Sequence, residues 1–524
     1  MRLSNYALKA WCLGYALQIE PVSSTTVDLT SNESIKAASQ TCAIGMLQNY
    51  TGQIPGILGS PYTWPIAGAV FGSLVDYWYY TGNDKFNNTT MDALLNQAGD
   101  RYNFRPTNGV QGNSADQALW GLVTMSAAEY GFPDPPAGKP SWISMAKTVF
   151  EDQLSLWDNS TCGGGLSYQV FGEPVVPGFK VGISTSRFGS LAARLGAYTS
   201  NTTYSDWAEK SWSWVFSTGL ASPDYHFYLN VSSSTNCTSI SHLEWSAVAG
   251  TYLNIAATMW NMTQDELWVS RIQGILKTTS IFFENTIMKE VACEDSGRCE
   301  LEHMTYKGQF ARSLAITAKI APFTADTIMP LLRSSAKAAA AQCIGGLQNN
   351  LCGFNWTSSY DGTAGPGQQM SVLQVIQANL EPTVRGPLKG IPDANNGSTS
   401  ATQTPPSTNS GMNLGKGTIA GIVIGSVFGV AMIIGVISFF VVKHKTSAHK
   451  NAKPETEVWS KPELDGKNVN NPVLYELEHT RPQELPDNQL PGELDASEAS
   501  PEHSTTRSEI QPRAETACMI LSNH

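Results

Sequence analysis

The chain has 524 residues, with 33 lysines and arginines against 44 aspartates and glutamates and a formal net charge of −11. That acidic balance, with no basic patch suited to a phosphate backbone, excludes nucleic acid as the expected partner. Hydrophobic residues make up 41% and charged residues only 15%, so the chain can build a large core, yet its composition changes along its length and it divides into pieces.

Residues 1–20 carry Arg2 and a short apolar run interrupted by Lys9, which fits a signal peptide. Residues 29–377 are helical in pattern nearly throughout. AGAVFGSLVDYWYY, DQALWGLVTMSAAEY, SMAKTVFEDQLSLW, RFGSLAARLGAY, YSDWAEKSWSWVF and SAVAGTYLNIAATMW all space apolar residues three and four apart, the period of one helix face. Breakers such as Pro133-Asp134-Pro135-Pro136 and Gly163-Gly164-Gly165 separate them. Tyr80-Thr81-Gly82-Asn83, Tyr198-Thr199-Ser200-Asn201 and Trp260-Asn261 each end one helix and lead into another with an aromatic residue in its first turn. This is the logic of the helical hairpin. Eleven or twelve helices at this spacing predict an all-α fold of six hairpins closing into a ring, with a polar cleft where the loops converge.

Residues 386–416 form a Ser/Thr/Pro/Asn/Gly stalk with little to bury. Thr418 to Val442, TIAGIVIGSVFGVAMIIGVISFFVV, contains no charge, and roughly 20 apolar residues suffice for a membrane-spanning helix. Lys443, Lys445, Lys450 and Lys453 follow it, against Lys416 before it, so the tail 443–524 is expected in the cytosol. That tail is acidic and proline-rich, a disordered composition. Gly421, Gly425 and Gly429 have the spacing that lets two membrane helices pair.

Glycosylation acceptors Asn-x-Ser/Thr occur at Asn32, Asn49, Asn87, Asn88, Asn159, Asn201, Asn230, Asn236, Asn261, Asn355 and Asn396, all before the apolar segment. The one-sided distribution points to a single-pass type I protein of the plasma membrane or endomembranes, its ectodomain lumenal or facing a cell wall. Cysteine usage fits an oxidising compartment. Cys293 with Cys299 and Cys343 with Cys352 close short loops, Cys162 with Cys237 make a third pair, and Cys42 is left over as a buried thiol. No histidine neighbours these cysteines at zinc-finger spacing, and no nucleotide loop or metal motif is legible, so no cofactor is expected.

AGAVFGSLVDYWYYTGN, DQALWGLVTMSAAEYGFP, CGGGLSYQV, LAARLGAYTSNTTYSDWAEKSWSWV and CEDSGRCELEHMTYKGQFARSL resemble fungal members of glycoside hydrolase family 76, the mannan endo-1,6-α-mannosidases. The similar cell-wall proteins are thought to process glycosylphosphatidylinositol (GPI) anchors. The resemblance implies an (α/α)6 barrel and a retaining attack on α-1,6-linked mannose by two consecutive aspartates followed by a glutamine. Here the matching residues read Ala115-Asp116-Gln117: Asp116 takes the acid/base position, alanine stands in the nucleophile's place, and Gln117 and Trp120 match. Lys180-Val181-Gly182-Ile183-Ser184-Thr185 and Glu244-Trp245-Ser246-Ala247-Val248 replace cleft segments that carry amides in the family. Those amides would grip sugar hydroxyls.

Retaining hydrolysis needs two carboxyl groups about 5 to 5.5 Å apart and inversion spreads them to roughly 6.5 to 9.5 Å, and alanine supplies none. The expected sources of a second carboxylate are Glu244, Asp76 and Glu129. Trp64, Trp120 and Trp245 are expected to stack on sugar faces, Gln117 to bond substrate, and Lys180 to meet a phosphate or acidic substituent. Asp116 also admits a plainer reading, an acid that starts a helix. The resulting expectation is a glycosidase or transglycosidase acting on α-1,6-mannose in mannan or GPI-anchor glycans during cell-wall biogenesis. Against it stands a catalytically inactive, mannose-binding membrane protein or cell-wall sensor.

Overall fold

The computed structural model describes residues 27–105, 112–171, 178–346 and 350–389. The expected signal peptide (1–20), membrane span (418–442), tail (443–524), most of the stalk, Asn396 and the three membrane glycines lie outside them. No helix among the described residues is long and apolar enough to cross a membrane.

Twelve α-helices succeed one another among these residues. They are α1 (Asn32–Met46), α2 (Trp64–Thr81), α3 (Asn87–Gln97), α4 (Ser114–Tyr130), α5 (Trp142–Leu154) and α6 (Gly182–Thr199), then α7 (Thr202–Ser217), α8 (Ser246–Thr263), α9 (Glu266–Thr278), α10 (Tyr306–Ile320), α11 (Ala325–Ala341) and α12 (Pro366–Gln377). The even-numbered helices touch in the cycle α2, α4, α6, α8, α10, α12 and back to α2. The odd-numbered ones pack outside, α5 on α4, α7 on α6, α9 on α8, and α1 and α11 on α12. The result is the helical barrel that six hairpins predict.

Burial separates the two sets. The inner helices α2 and α4 are buried on nearly every side, whereas outer α9 buries only Trp268, Ile272 and Ile275. A helix apolar all round needs neighbours all round, and one with a single stripe needs one neighbour. Small residues bring the inner helices together: a Cβ on Gly72 would lie 2.8 Å from Val123, and one on Gly308 would lie 2.7 Å from the Ser371 backbone. The inner helices run parallel. Gly68 and Gly72 of α2 face Trp120 and Val123 of α4 in the same order, and Gly250 and Asn261 of α8 meet Phe310 and Ile320 of α10. All six therefore begin at one end of the barrel, called the mouth below.

Asn201 and Asp265 cap α7 and α9 as turn chemistry predicts. Periodicity gave no sign of a three-stranded antiparallel sheet of β1 (Phe179–Val181), β2 (Tyr228–Ser232) and β3 (Ile240–Glu244), which feeds α6 and α8. The strands are too short for alternation to register. A two-stranded pair, β4 (Phe283–Glu284) and β5 (Ile287–Met288), precedes the next long loop.

The three disulfides are Cys162–Cys237, Cys293–Cys299 and Cys343–Cys352. Cys42 is a free, buried thiol that desolvation pushes up to about 12. The packed region runs past residue 377. Leu380 is fully buried, Arg385 donates to the Tyr130 carbonyl, and the Leu388 amide bonds the Glu129 carbonyl, so the first stalk residues belong to the barrel. Among the acceptor asparagines, Asn87 is buried at the start of α3 while Asn88 is exposed, and the Asn261 amide is bonded to the Ile320 carbonyl. Asn87 is thus not an accessible acceptor in the folded chain.

Two of the expected catalytic acids hold this barrel together instead. Asp76 is fully buried, 2.7 Å from Arg312 and 2.6 Å from the Gln374 amide, tying α2 to α10 and α12. Glu129 accepts from Arg194 at 2.6 Å, tying α4 to α6, and both arginines donate to the Ser126 hydroxyl at 2.6 Å. Removing one partner of a buried pair leaves the other desolvated and uncompensated. Arg194→Met is expected to cost about 3 to 5 kcal/mol by stranding Glu129, measured by urea unfolding; a loss under about 1 kcal/mol would show the pair to be dispensable.

Candidate active site

Asp116 sits at the mouth in the first turn of α4. Asn113 caps the helix, its side chain accepting from the Ala115 and Asp116 amides at 2.8 and 3.2 Å, while Asp116 Oδ2 accepts from the Asn113 amide at 3.0 Å. This reciprocal capping box fixes the helix start and the carboxylate orientation together. Both readings of Asp116 therefore hold in one residue.

The side chain is only 5% exposed. Burial first, and then the negative charge of Glu302, push its carboxyl far above the usual carboxylate range, while Arg187 and the Asn113 amide pull it back. Glu302 is raised as well, chiefly by burial and against the pull of Arg187. Two carboxyl groups both raised by burial, Asp116 by the charge of Glu302 as well, hold at least one proton near neutral pH, because ionising both puts like charges together out of water.

Several elements bring the pair together. Arg187 of α6 donates to the Ala115 carbonyl at 3.1 Å and to Gln309 of α10 at 3.2 Å, so one guanidinium bridges three inner helices under the acids. Glu302 lies four residues before α10, and its loop is pinned three ways. The Cys293–Cys299 disulfide closes it, Glu290 accepts from the Ser246 amide at the start of α8 at 3.1 Å, and Glu294 pairs with buried Lys307 at 2.7 Å. Burial holds Glu290 itself at about 8.

Tyr306 reaches Glu302 at 3.4 Å, and the phenol of Tyr168 feels both acids, burial and their charges pushing it up to about 12. Trp245 stacks on His303 at 4.1 Å between ring centres and meets Tyr306 edge-on at 5.4 Å. Burial lowers His303, favouring the neutral ring. Below the acids the barrel lumen holds a cavity of about 50 Å³ lined by Leu122, Arg187, Arg194, Gln309 and Arg312 among others.

Of the residues singled out from sequence, Asp116 and Trp245 are at the mouth, and the others are placed differently. Trp64 and Trp120 stack on each other at 5.5 Å in the core, Trp120 fully buried beside Phe104, so neither offers a face to a sugar. The Gln117 amide is spent on the Asn103 carbonyl at 2.8 Å and Asp152 at 2.6 Å. Lys180 is buried beneath the glycine loop, donating to the carbonyls of Asp158, Thr161 and Gly164 and pairing with Asp158 at 3.2 Å; its charge holds a loop, not a phosphate.

Glu244 pairs with His226 at 2.9 Å at the end of β3. Glu129 lies 13 residues beyond Asp116 on α4, about 20 Å at 1.5 Å per residue, toward the opposite end. Neither it, Asp76 nor Glu244 is among the charges that act on Asp116. Sequence reasoning missed Glu302, although Cys299-Glu300-Leu301-Glu302-His303 was in view; an acid four residues before a helix that opens on Tyr306, Lys307 and Gln309 was the available signal. Among the described residues the one cysteine, histidine and acid cluster of metal-ligating reach is Cys42 with the Cys343–Cys352 disulfide, remote from these acids in sequence and two-thirds oxidised.

The profile of Glycosyl hydrolase family 76 matches residues 34–390. The chain belongs to that family. It is 35% identical to the mannan endo-1,6-alpha-mannosidase DCW1 of Saccharomyces cerevisiae over 80% of this chain and 96% of that protein. DFG5 of the same yeast is 37% identical over 80% and 95%. Among solved structures, Dfg5 from Chaetomium thermophilum in complex with glucosamine aligns with a TM-score of 0.65 at 35% identity, covering 70% of this chain and 96% of that one. An inactive variant of the α-1,6-mannanase GH76A of Salegentibacter, in complex with α-1,6-mannotetrose, aligns at 0.55 and 14% identity over 66% and 98%, which shows the shared barrel.

The raised carboxyl of Asp116 makes folding depend on pH. The folded chain binds this proton more tightly than the unfolded one, where an aspartate titrates near ~4, so stability falls as pH rises from about 4 through the raised value. Asparagine keeps the cap and cannot ionise. Asp116→Asn is expected to melt higher than the parent at about pH 8 and level with it near pH 4, by differential scanning fluorimetry across that range; parallel curves would show an ordinary, ionised Asp116.

Proposed function

We propose that this protein is a glycosidase or transglycosidase of the mannan endo-1,6-α-mannosidase type, acting on α-1,6-mannosyl linkages of mannan or GPI-anchor glycans in the cell wall, with Asp116 and Glu302 as its two carboxyl groups. The single observation that carries this is the electrostatic pairing of Asp116 with Glu302 across Arg187 at the barrel mouth. Asp116, buried and protonated near neutrality, is suited to give its proton to the departing glycosidic oxygen. Glu302, partly exposed and nearer Tyr306, is suited to meet the positive charge developing at the anomeric carbon. It does so by attack on that carbon or by activating an acceptor hydroxyl, which then returns a proton to the pair.

In the Salegentibacter enzyme the inactive variant has two adjacent aspartates replaced by alanine. This chain carries alanine at 115 naturally, and Glu302 supplies from the loop before α10 the carboxyl that position 115 lacks. The names of the yeast relatives support the substrate class. The uncharged run 418–442 is the natural anchor, holding the barrel at the membrane face of the wall.

Ala115 favours a second reading, a mannan-binding protein without turnover. α-1,6-Mannotetraose offered to the full-length protein separates the two. Asp116→Asn and Glu302→Gln are each expected to lower kcat by about 10²- to 10⁴-fold, the range of a lost general acid or base, while Glu244→Gln stays within about twofold. Turnover that survives Glu302→Gln removes the assignment of Glu302, and binding without turnover by the parent protein establishes the second reading.

A further inference from the structure

Two phenols stand with the acid pair, and one of them is uncommitted. Tyr306 reaches Glu302 at 3.4 Å. Tyr168 is half-buried, its oxygen is not sealed from solvent, and its side chain bonds nothing among the described residues.

Backbone pairing, not the side chain, sets where this phenol stands. Residues 166–171 run antiparallel to the segment that caps α4. The Ser114 amide donates to the Gln169 carbonyl and the Phe171 amide to the Gly112 carbonyl, both at 2.9 Å, with Asn113 opposite Val170. Tyr168 lies two residues before Val170, and its own amide bonds the Phe179 carbonyl of β1 at 3.4 Å. The glycine loop leading into it is held by the Cys162–Cys237 disulfide and by buried Lys180, which donates to the Gly164 carbonyl. The phenol is therefore carried on a strand fixed to the same helix start that aims Asp116, the kind of rigid support a site residue needs.

The carboxyl groups of Asp116 and Glu302 both act on this phenol, yet no hydrogen bond joins any two of the three. Asp116 bonds the Asn113 amide and Glu302 the Tyr306 phenol. Groups close enough to feel each other's charge and too far apart to bond leave a gap among them, which water or a ligand fills. Burial and both negative charges keep Tyr168 protonated through the working range, so it faces that gap as a neutral hydroxyl able to donate and to accept. The residues expected to grip sugar hydroxyls do not face it: the Gln117 amide is spent on Asn103 and Asp152, and Lys180 on its loop.

We propose that Tyr168 is a third catalytic residue, its phenol oxygen accepting from a hydroxyl of the mannose ring that lies between Asp116 and Glu302. The assignment rests on the glycosidase reading above and adds a substrate contact to it. A ring hydroxyl becomes a better donor as positive charge develops at the carbon under attack, so the bond strengthens in the transition state.

Turnover of α-1,6-mannotetraose by the full-length protein, followed across pH, tests this. Tyr168→Phe removes an oxygen that bonds nothing in the fold, so the variant keeps its melting temperature. Its kcat is expected to fall about 10- to 100-fold, the range of one hydrogen bond that strengthens in the transition state, with both limbs of the pH–rate profile in place. Tyr306→Phe is the contrast. It takes a hydrogen bond from Glu302 that holds that carboxyl down, so the acid limb moves to higher pH. A Tyr168→Phe kcat within about fivefold of the parent overturns the proposal. So does a loss that comes from a displaced pH profile, because the phenol then acts on the acids and not on the sugar. If the parent binds mannotetraose without turnover, the glycosidase reading fails by itself and the contact is read as affinity: Tyr168→Phe binding within about threefold of the parent then overturns it. A parent that neither binds nor cleaves removes both.

Discussion

Closure of six parallel helices into a ring is the constraint from which the rest follows. It sets six helix starts, with their unpaired N–H groups and positive dipole ends, around one opening, where negative charge is most easily tolerated. It also forces the polar groups of the lumen to find partners among themselves, since little water reaches them. Arg312 with Asp76 and Arg194 with Glu129 meet on the single hydroxyl of Ser126, so the charges that close the ring are neutralised within it. The acids at the mouth are not.

That difference gives the site its chemistry. Asp116 and Glu302 share the pull of Arg187, and no described carboxylate forms an ion pair with that guanidinium. Burial therefore wins over attraction, and the pair keeps a proton. Glu302 depends in turn on a loop held by its own Cys293–Cys299 disulfide, by Glu290 on the first turn of α8, and by Lys307 lodged between Glu294, Phe354 and Trp356. The chain belongs to Glycosyl hydrolase family 76, its yeast relatives are named mannan endo-1,6-alpha-mannosidases, and the alanine at 115 is where it departs from the motif it resembles.

Legibility in the sequence followed local spacing. Helix number, the hairpin order, the three disulfides and the capping role of Asp116 were all readable, because each depends on residues within a few positions or on a small set of cysteines. The aromatic and polar candidates were not. Trp120 follows Asp116 by four residues and lies on the same helix, yet it points into a stack with Trp64 and Phe104, and Gln117 turns toward Asp152 of α5. Nothing in the local sequence from Asp116 to Trp120 distinguishes the lumen side of an inner helix from the side facing its outer neighbour, since both are buried.

By itself the sequence determined an all-helical ring of hairpins, the family, and one acid at the start of α4, because periodicity, caps and motif order are properties of neighbours along the chain. Only the tertiary structure decided which second acid stands with it. Residues 116 and 302 are 186 positions apart, and their coupling arises from ring closure and the burial it imposes, which no local pattern records.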